Sequence, residues 1–185
     1  MHKNKPENSS APERFIPISL ILPCADNYVK LAKRVQSIKN SSTLPLEFII
    51  ILSGSLLKIT DQQKLKLREQ WVIDESNLKF LDFCGETIYP GAARNIGLSH
   101  ASYAIISFID INTAPEYNWL EIQYSQLMSK KNSLILGSTV FRGSSIVQNL
   151  LIDSSYGRKP ITTVPGTMVT VEALSQIGYF LPNIR

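Results

Sequence analysis

The chain has 185 residues, of which 44% are hydrophobic and 18% charged, a composition typical of one globular domain and not of a disordered or fibrous protein. The formal net charge of +4 comes from scattered lysines and arginines, so we expect no nucleic-acid partner and favour anionic small molecules or anionic membrane surfaces. Two cysteines and two histidines argue against a disulfide framework and against a zinc site.

The ends and the apolar runs of the chain bear on where the protein resides. No apolar run approaches the length that spans a bilayer, and the N-terminus is polar, so we expect neither a signal peptide nor a transmembrane segment. The two cysteines are expected to be free thiols in a reducing compartment. We therefore predict a cytoplasmic protein, which could also contact the inner face of the membrane.

The order of apolar and amphipathic segments predicts an α/β fold. Residues 1–15 are polar and contain two prolines, which predicts a flexible tail ahead of a single domain over residues 16–185. Strands are predicted over Ile16–Pro23, Leu46–Leu52, Leu78–Phe83, Tyr103–Asp110 and Ser133–Phe141. Helices are predicted over Tyr28–Asn40, Thr60–Ile73, Ala92–His100 and Asn118–Lys130. This alternation predicts a mostly parallel sheet flanked by helices on both sides.

The last third of the chain has a different character. Residues 142–166 are rich in Ser, Thr, Gly and Pro, which predicts a surface excursion or lid. The β-branched run Thr167–Val171 is strand-like, and Glu172–Ile177 is predicted to form a short helix that ends at Gly178.

Polar or small residues follow the predicted strands. They are Asp26, Asn27, Ser53, Gly54, Gly85 and Asp110. Because ligands of parallel sheets bind outside the carboxyl ends of the strands, we expect these residues along one edge. Asp110 is the strongest single indication of a functional site, since a carboxylate at the end of a buried strand needs a hydroxyl, a cation or a metal as its partner. The alternative is a salt bridge or a cap for the next turn.

Two further stretches have a functional and a purely structural interpretation. In GAARNIG (residues 91–97) a glycine at the start of a helix could leave backbone amides for a phosphate, with Arg94 as a fixed cation and Asn95 as a buttress. The same stretch could be a tightly packed helix with a surface arginine. PCADN (residues 23–27) could surround a base or ribose with its backbone, or cap the helix that follows.

In combination, four stretches resemble the family 2 glycosyltransferases of the GT-A fold. They are ISLILPCADN, LEFIIILSGS, GAARNIGLSHASYAIISFIDIN and PGTMVTVEALSQIGYFLPNIR, which together extend over residues 18–185. The resemblance implies a GT-A (Rossmann-like) sheet and the transfer of a sugar from a nucleotide-diphosphate donor to a hydroxyl of a glycan, lipid or other acceptor, with inversion. It also implies a divalent metal, Mg²⁺ or Mn²⁺, at the diphosphate.

The resemblance also assigns roles by position. The nucleotide-sugar site would comprise Pro23, Cys24, Ala25, Asn27, Ser53, Gly91, Arg94, Asn95 and Asp110. Asp110 would bind the ribose or help to hold the metal. Asn112 takes the place of the family's second metal-binding acid, and because an amide oxygen adds no charge, we expect the metal to bind weakly if at all.

Further departures from the family pattern leave alternatives open. LSGS (residues 52–55) replaces Asp-Asp-Gly-Ser, and the domain is expected to end before the family's catalytic-base segment, so no catalytic residue is assigned. Leu181 and Pro182 also replace acids of the usual Phe-Asp-Glu turn. One alternative is therefore a catalytically silent GT-A-like nucleotide-binding or interaction module. Another is a nucleotidyltransferase, which lacks support from a lysine or a second acid.

Overall fold

The computed structural model describes residues 14–25, 27–54, 58–71, 77–129, 134–157 and 159–183. Strands are β1 (Arg14–Cys24), β2 (Thr43–Gly54), β3 (Leu78–Cys84), β4 (Ile105–Phe108), β5 (Leu134–Thr139) and β6 (Ile161–Thr170). Helices are α1 (Tyr28–Lys39), α2 (Asp61–Gln70), α3 (Pro90–Ser99), α4 (Trp119–Ser129), α5 (Ile146–Ser155) and α6 (Val171–Ile177). Residues 1–13 of the predicted tail, Asp26, Ser55 and Arg185 lie outside the described residues.

The strands form one sheet in the order β3-β2-β1-β4-β6-β5. β3, β2, β1 and β4 run parallel, whereas β6 is antiparallel to both of its neighbours. The prediction of a mostly parallel α/β sheet is confirmed. Because four adjacent strands point the same way, the loops that leave their carboxyl ends lie along one edge of the sheet.

Helices cover both faces of the sheet because the parallel strands are apolar on both sides. On one face, Phe48 and Ile50 of β2 pack with Leu31 of α1, and this cluster extends to α2 and α4. On the other face, Ile51 packs in a cluster with Ala93 of α3 that extends to α6. Gly97 permits the close approach of α3, since a Cβ there would lie 2.6 Å from Cγ2 of Ile21.

The segment 142–166, predicted as a surface excursion or lid, contains regular secondary structure. It contains α5 and the first six residues of β6, because Ser145 caps the helix and the strand pairs with β5 from Ile161 onward. No side chain of α5 is buried, so this helix adds nothing to the core. The predicted strand Thr167–Val171 therefore begins earlier, at Ile161, and it ends at Thr170, which caps α6.

None of the helices in the described parts of the chain combines the length and the apolar character that crossing a membrane requires. The longest of these helices, α1, has 12 residues, whereas a span needs about 20.

A buried carboxylate joins three strands away from the carboxyl edge. Glu47 of β2 is 2% exposed and accepts hydrogen bonds from the Ser19 hydroxyl and the Lys79 ammonium. It also accepts from the backbone N–H of Ser102 at 2.9 Å and from the Ser102 hydroxyl at 2.7 Å. Burial acts to raise the pKa of Glu47, but the hydrogen bonds from Lys79, Ser19 and Ser102 outweigh it and lower the pKa. The group therefore stays ionised inside the fold.

The start of α2 has a capping box and allows a test of local stability. The Gln63 backbone N–H donates to the Thr60 hydroxyl at 3.3 Å, and the Thr60 backbone N–H donates to the Gln63 side-chain oxygen at 3.0 Å. We expect Thr60→Ala to lower the free energy of unfolding by about 1 kcal/mol, because one helix amide loses its acceptor. Urea denaturation measures the change, and Gln62→Ala on the same exposed turn is the control. Equal stabilities of the two variants would contradict the role of the cap.

Candidate functional site

The chain leaves the parallel strands through turns that are tied to one another. The backbone N–H of Gly54 donates to the Glu86 carbonyl at 2.6 Å, and that of Gly85 donates to the Gly54 carbonyl at 3.1 Å. Gly54 has a φ of +120°, a conformation that favours glycine, and its α-carbon faces Ala25 after β1. The ends of β1, β2 and β3 therefore meet at one place, as the sequence predicts.

The stretch PCADN divides between core and surface. The Cys24 side chain is fully buried and Pro23 is half-buried, whereas Ala25 and Asn27 are exposed. The Asn27 side chain accepts from the Lys30 backbone N–H at 3.0 Å, which confirms its predicted role as the cap of α1. Ser53 is 2% exposed at the end of β2. A nucleoside pocket at these residues stays a prediction. Cys24 would not line it with its side chain, because the thiol is buried in the core.

Asp110 has a cation as its partner. The Arg94 guanidinium lies 2.7 Å from the Asp110 carboxylate, and the side chains are 9% and 36% exposed, respectively. The same guanidinium lies over the Phe180 ring at 5.4 Å from its centre. Phe180 in turn contacts Phe108 edge to face, with 5.1 Å between ring centres. Arg94 is thus held from two sides, and it directs its charge toward the carboxyl end of β4.

The other residues of GAARNIG fasten the segment after α6. The Asn95 side-chain N–H donates to the Phe180 carbonyl at 2.8 Å, and the Phe180 backbone N–H donates to the Asn95 side-chain oxygen at 3.1 Å. A Cβ on Gly91 would collide with the carbonyl oxygen of Leu181. Gly91, Arg94 and Asn95 therefore converge on residues 180–181. Asn95 is the buttress that the sequence predicts, while a phosphate site at this helix stays a prediction.

Two cations of α1, Lys30 and Arg34, lie beside the Arg94–Asp110 pair and were not predicted as site residues. The Lys30 ammonium lies 3.4 Å from the Asn112 side-chain oxygen. Nε and Nη2 of Arg34 donate to the Ile111 carbonyl at 3.4 and 3.3 Å. Burial lowers the pKa of Arg34, but a guanidinium stays charged in proteins. The signal available in the sequence is their spacing, since residues i and i+4 share one face of the helix that follows the first strand.

The cluster around residues 110–112 is a poor fit for a divalent metal ion. Each of these three consecutive residues contacts a different cation, so these contacts between described residues bring together three cations and one carboxylate, with a formal charge of +2. Mg²⁺ takes oxygen ligands at about 2.1 Å in octahedral geometry, usually one or two carboxylates together with waters and phosphates. Among the residues that the structure describes, no three or more His, Cys, Asp or Glu side chains form a group that could hold a metal. A metal on Asp110 and Asn112 stays a prediction.

An apolar cavity of about 320 Å³ lies near this cluster without including its charges. Its lining includes Leu134, Leu136, Val169 and Leu174, and it shares Phe180 with the cluster around Arg94. The described residues that line it include no carboxylate, lysine, arginine or histidine, whereas the charged groups at the edge are Asp110 and the cations beside residues 110–112.

Comparisons with known proteins identify the fold and the family. A family model for "Glycosyl transferase family 2" matches residues 19–173. S. aureus TarS 1–349 superposes with a TM-score of 0.63 at 15% identity, over 90% of this chain and 50% of that one. The mannosyltransferase PcManGT from Pyrobaculum calidifontis, in complex with GDP-Man and Mn²⁺, has a TM-score of 0.56 at 15% identity, over 95% and 52% of the chains.

Glucosyl-3-phosphoglycerate synthase from Mycobacterium tuberculosis, in complex with Mn²⁺, UDP and phosphoglyceric acid, has a TM-score of 0.52 at 20% identity, over 86% and 57% of the chains. The GT-A fold predicted from the sequence is confirmed by these structures. The chain spans about half the length of the structures it resembles. A search of curated protein sequences gives no match.

Proposed function

Because the chain belongs to the family 2 glycosyltransferases, we propose that it forms the donor site of an enzyme that transfers a sugar from a nucleotide diphosphate to an acceptor hydroxyl, with inversion. The observation that carries the proposal is the ion pair between the buried Arg94 and the partly exposed Asp110 at the carboxyl edge, beside Lys30 and Arg34. Ligands of parallel sheets bind at this edge. Of the structures compared, one holds GDP-Man, one UDP and another form of TarS holds UDP-GlcNAc.

The charges of the cluster suit the chemistry of sugar transfer. When the bond between the sugar and the diphosphate breaks, negative charge develops on the leaving phosphate oxygen, and cations fixed nearby stabilise it. Asp110 is held by Arg94 through one of its oxygens, and its other oxygen would accept hydrogen bonds from ribose hydroxyls.

Nucleotide binding tests the proposal. We expect titration calorimetry with UDP and GDP in Mn²⁺ buffer to detect binding of at least one of them. We expect Asp110→Ala to weaken it about tenfold, because a hydrogen bond to a charged group is lost and Arg94 loses its anchor. Glu116→Ala, an exposed acid on the loop after β4, is the matched control. Circular dichroism checks that each variant is folded. If the wild-type chain binds neither nucleotide, the proposal fails.

A donor site and a silent binding module differ in turnover and not in binding. We expect the enzyme to release UDP or GDP slowly from a nucleotide sugar even when water is the only acceptor, whereas the silent module would bind the donor without consuming it. A glycan, a lipid or another hydroxyl compound would then be the acceptor. The predicted cytoplasmic location, with contact at the inner face of the membrane, would suit a lipid acceptor.

A further inference from the structure

The cations around residues 110–112 bear on how this site neutralises the negative charge of a diphosphate. Resting on the proposed donor site, we propose that the Lys30 ammonium binds the diphosphate directly, so that nucleotide binding needs no divalent metal. The proposal depends on three contacts already described, which are Arg94 with Asp110, Arg34 with Ile111 and Lys30 with Asn112.

First, both side chains expected to bind a metal already face a cation. Arg94 engages one of the two Asp110 oxygens, and its guanidinium is buried over Phe180 and cannot swing into solvent without losing that contact. The Asn112 oxygen is neutral and faces the Lys30 ammonium. An ion coordinated by both side chains would be repelled at close range by the Arg94 guanidinium and the Lys30 ammonium.

The second step is that Lys30 is placed and exposed as a phosphate ligand should be. It is exposed in the first turn of α1, where the helix dipole also favours an anion. Its contact with Asn112 is long, at 3.4 Å, whereas an ammonium and a phosphate oxygen approach to about 2.8 Å in a charge-assisted hydrogen bond. A diphosphate would therefore make a shorter and stronger contact with the ammonium than the contact between the ammonium and Asn112.

Third, the two arginines act as positioning residues. Arg94 neutralises Asp110, so the carboxylate among residues 110–112 does not repel the phosphates. Arg34 holds the Ile111 carbonyl and fixes the loop that carries Asn112 opposite Lys30. Counted over these described residues, the formal charge is +2, which is the charge a divalent ion would supply.

The experiment compares nucleotide affinity with and without metal in variants of one helix. Calorimetry with UDP and GDP is run in EDTA and again in Mn²⁺, for the wild type and for Lys30→Met, Lys30→Arg and the control Lys33→Met, an exposed lysine of the same helix. We expect wild-type affinity to differ less than about twofold between the two buffers. We expect Lys30→Met to weaken diphosphate binding about tenfold to hundredfold, with partial recovery in Lys30→Arg and no change in the control.

Three readouts separate the outcomes. UMP lacks the second phosphate, so its binding should change less in Lys30→Met than that of UDP. Electron paramagnetic resonance of Mn²⁺ should show the same free-ion signal with and without the protein. Diphosphate binding that requires Mn²⁺, or that ignores Lys30→Met, would overturn the inference and leave the donor site standing. Failure to bind UDP and GDP even with Mn²⁺ would overturn both.

Discussion

Glu47→Ala is expected to lower the free energy of unfolding by about 2–4 kcal/mol, the largest effect of any single change considered for this chain. Glu47 is 2% exposed and accepts from Ser19, Lys79 and Ser102, so its removal leaves a buried hydroxyl and a backbone N–H without their acceptor. Lys79 adds little to this figure, because its side chain is 38% exposed and water screens its charge. Urea denaturation followed by circular dichroism measures the loss.

The acid limb of the stability curve gives a second, independent readout of Glu47. Its pKa in the fold lies below the ordinary value of 4.5, so the unfolded chain takes up the proton first as the pH falls. The stability from this group is therefore complete above about pH 4.5 and is lost as the pH falls through the folded pKa. Glu47→Gln should remove that part of the pH dependence, whereas Glu69→Ala, an exposed acid on α2, should not. Unchanged acid limbs in both variants would contradict the role of Glu47.

The order of most strands and helices could be predicted because the spacing of apolar residues along the sequence differs between the two kinds of element. α1 was predicted over Tyr28–Asn40 and extends over Tyr28–Lys39, since its apolar residues recur at helical spacing. The first half of β6 could not be predicted in this way. Its residues 161–166 include Pro165 and Gly166, which weaken a strand pattern, and it forms because Ile161 pairs with Thr139 of β5.

Some residues of the site could be predicted from local sequence patterns, whereas others are recognised only from tertiary contacts. Asp110, Arg94 and Asn95 could be singled out because a strand-end acid and a glycine-led helix are local patterns. Lys30 could not, since a lysine on an exposed helix face is ordinary. Lys30 is near the site because β1 pairs with β4, which brings the start of α1 next to residues 110–112. The burial of Cys24 is likewise a matter of which face of β1 the residue occupies.

Gly91→Ala is the prediction that best tests how this cluster is assembled. Inside an exposed helix the change would favour folding by about 1 kcal/mol, because glycine loses more backbone entropy than alanine. Here the added Cβ would collide with the Leu181 carbonyl, and overpacking of this kind costs about 1–3 kcal/mol. We therefore expect a net loss of stability in urea. We also expect weaker nucleotide binding, because displacement of residues 180–181 takes Phe180 away from Arg94.

Asn95→Ala provides the matched comparison, because it releases the same segment by a different route. It removes both hydrogen bonds to the Phe180 backbone without adding a clash. If Gly91 and Asn95 act on one docked segment, the double variant should lose less stability than the sum of the single losses, since a segment can be released only once. Additive losses, or a Gly91→Ala variant more stable than the wild type, would show that residues 180–181 are not held at this helix. In that case Arg94 would reach Asp110 without Phe180, and nucleotide affinity should be the same in all three variants.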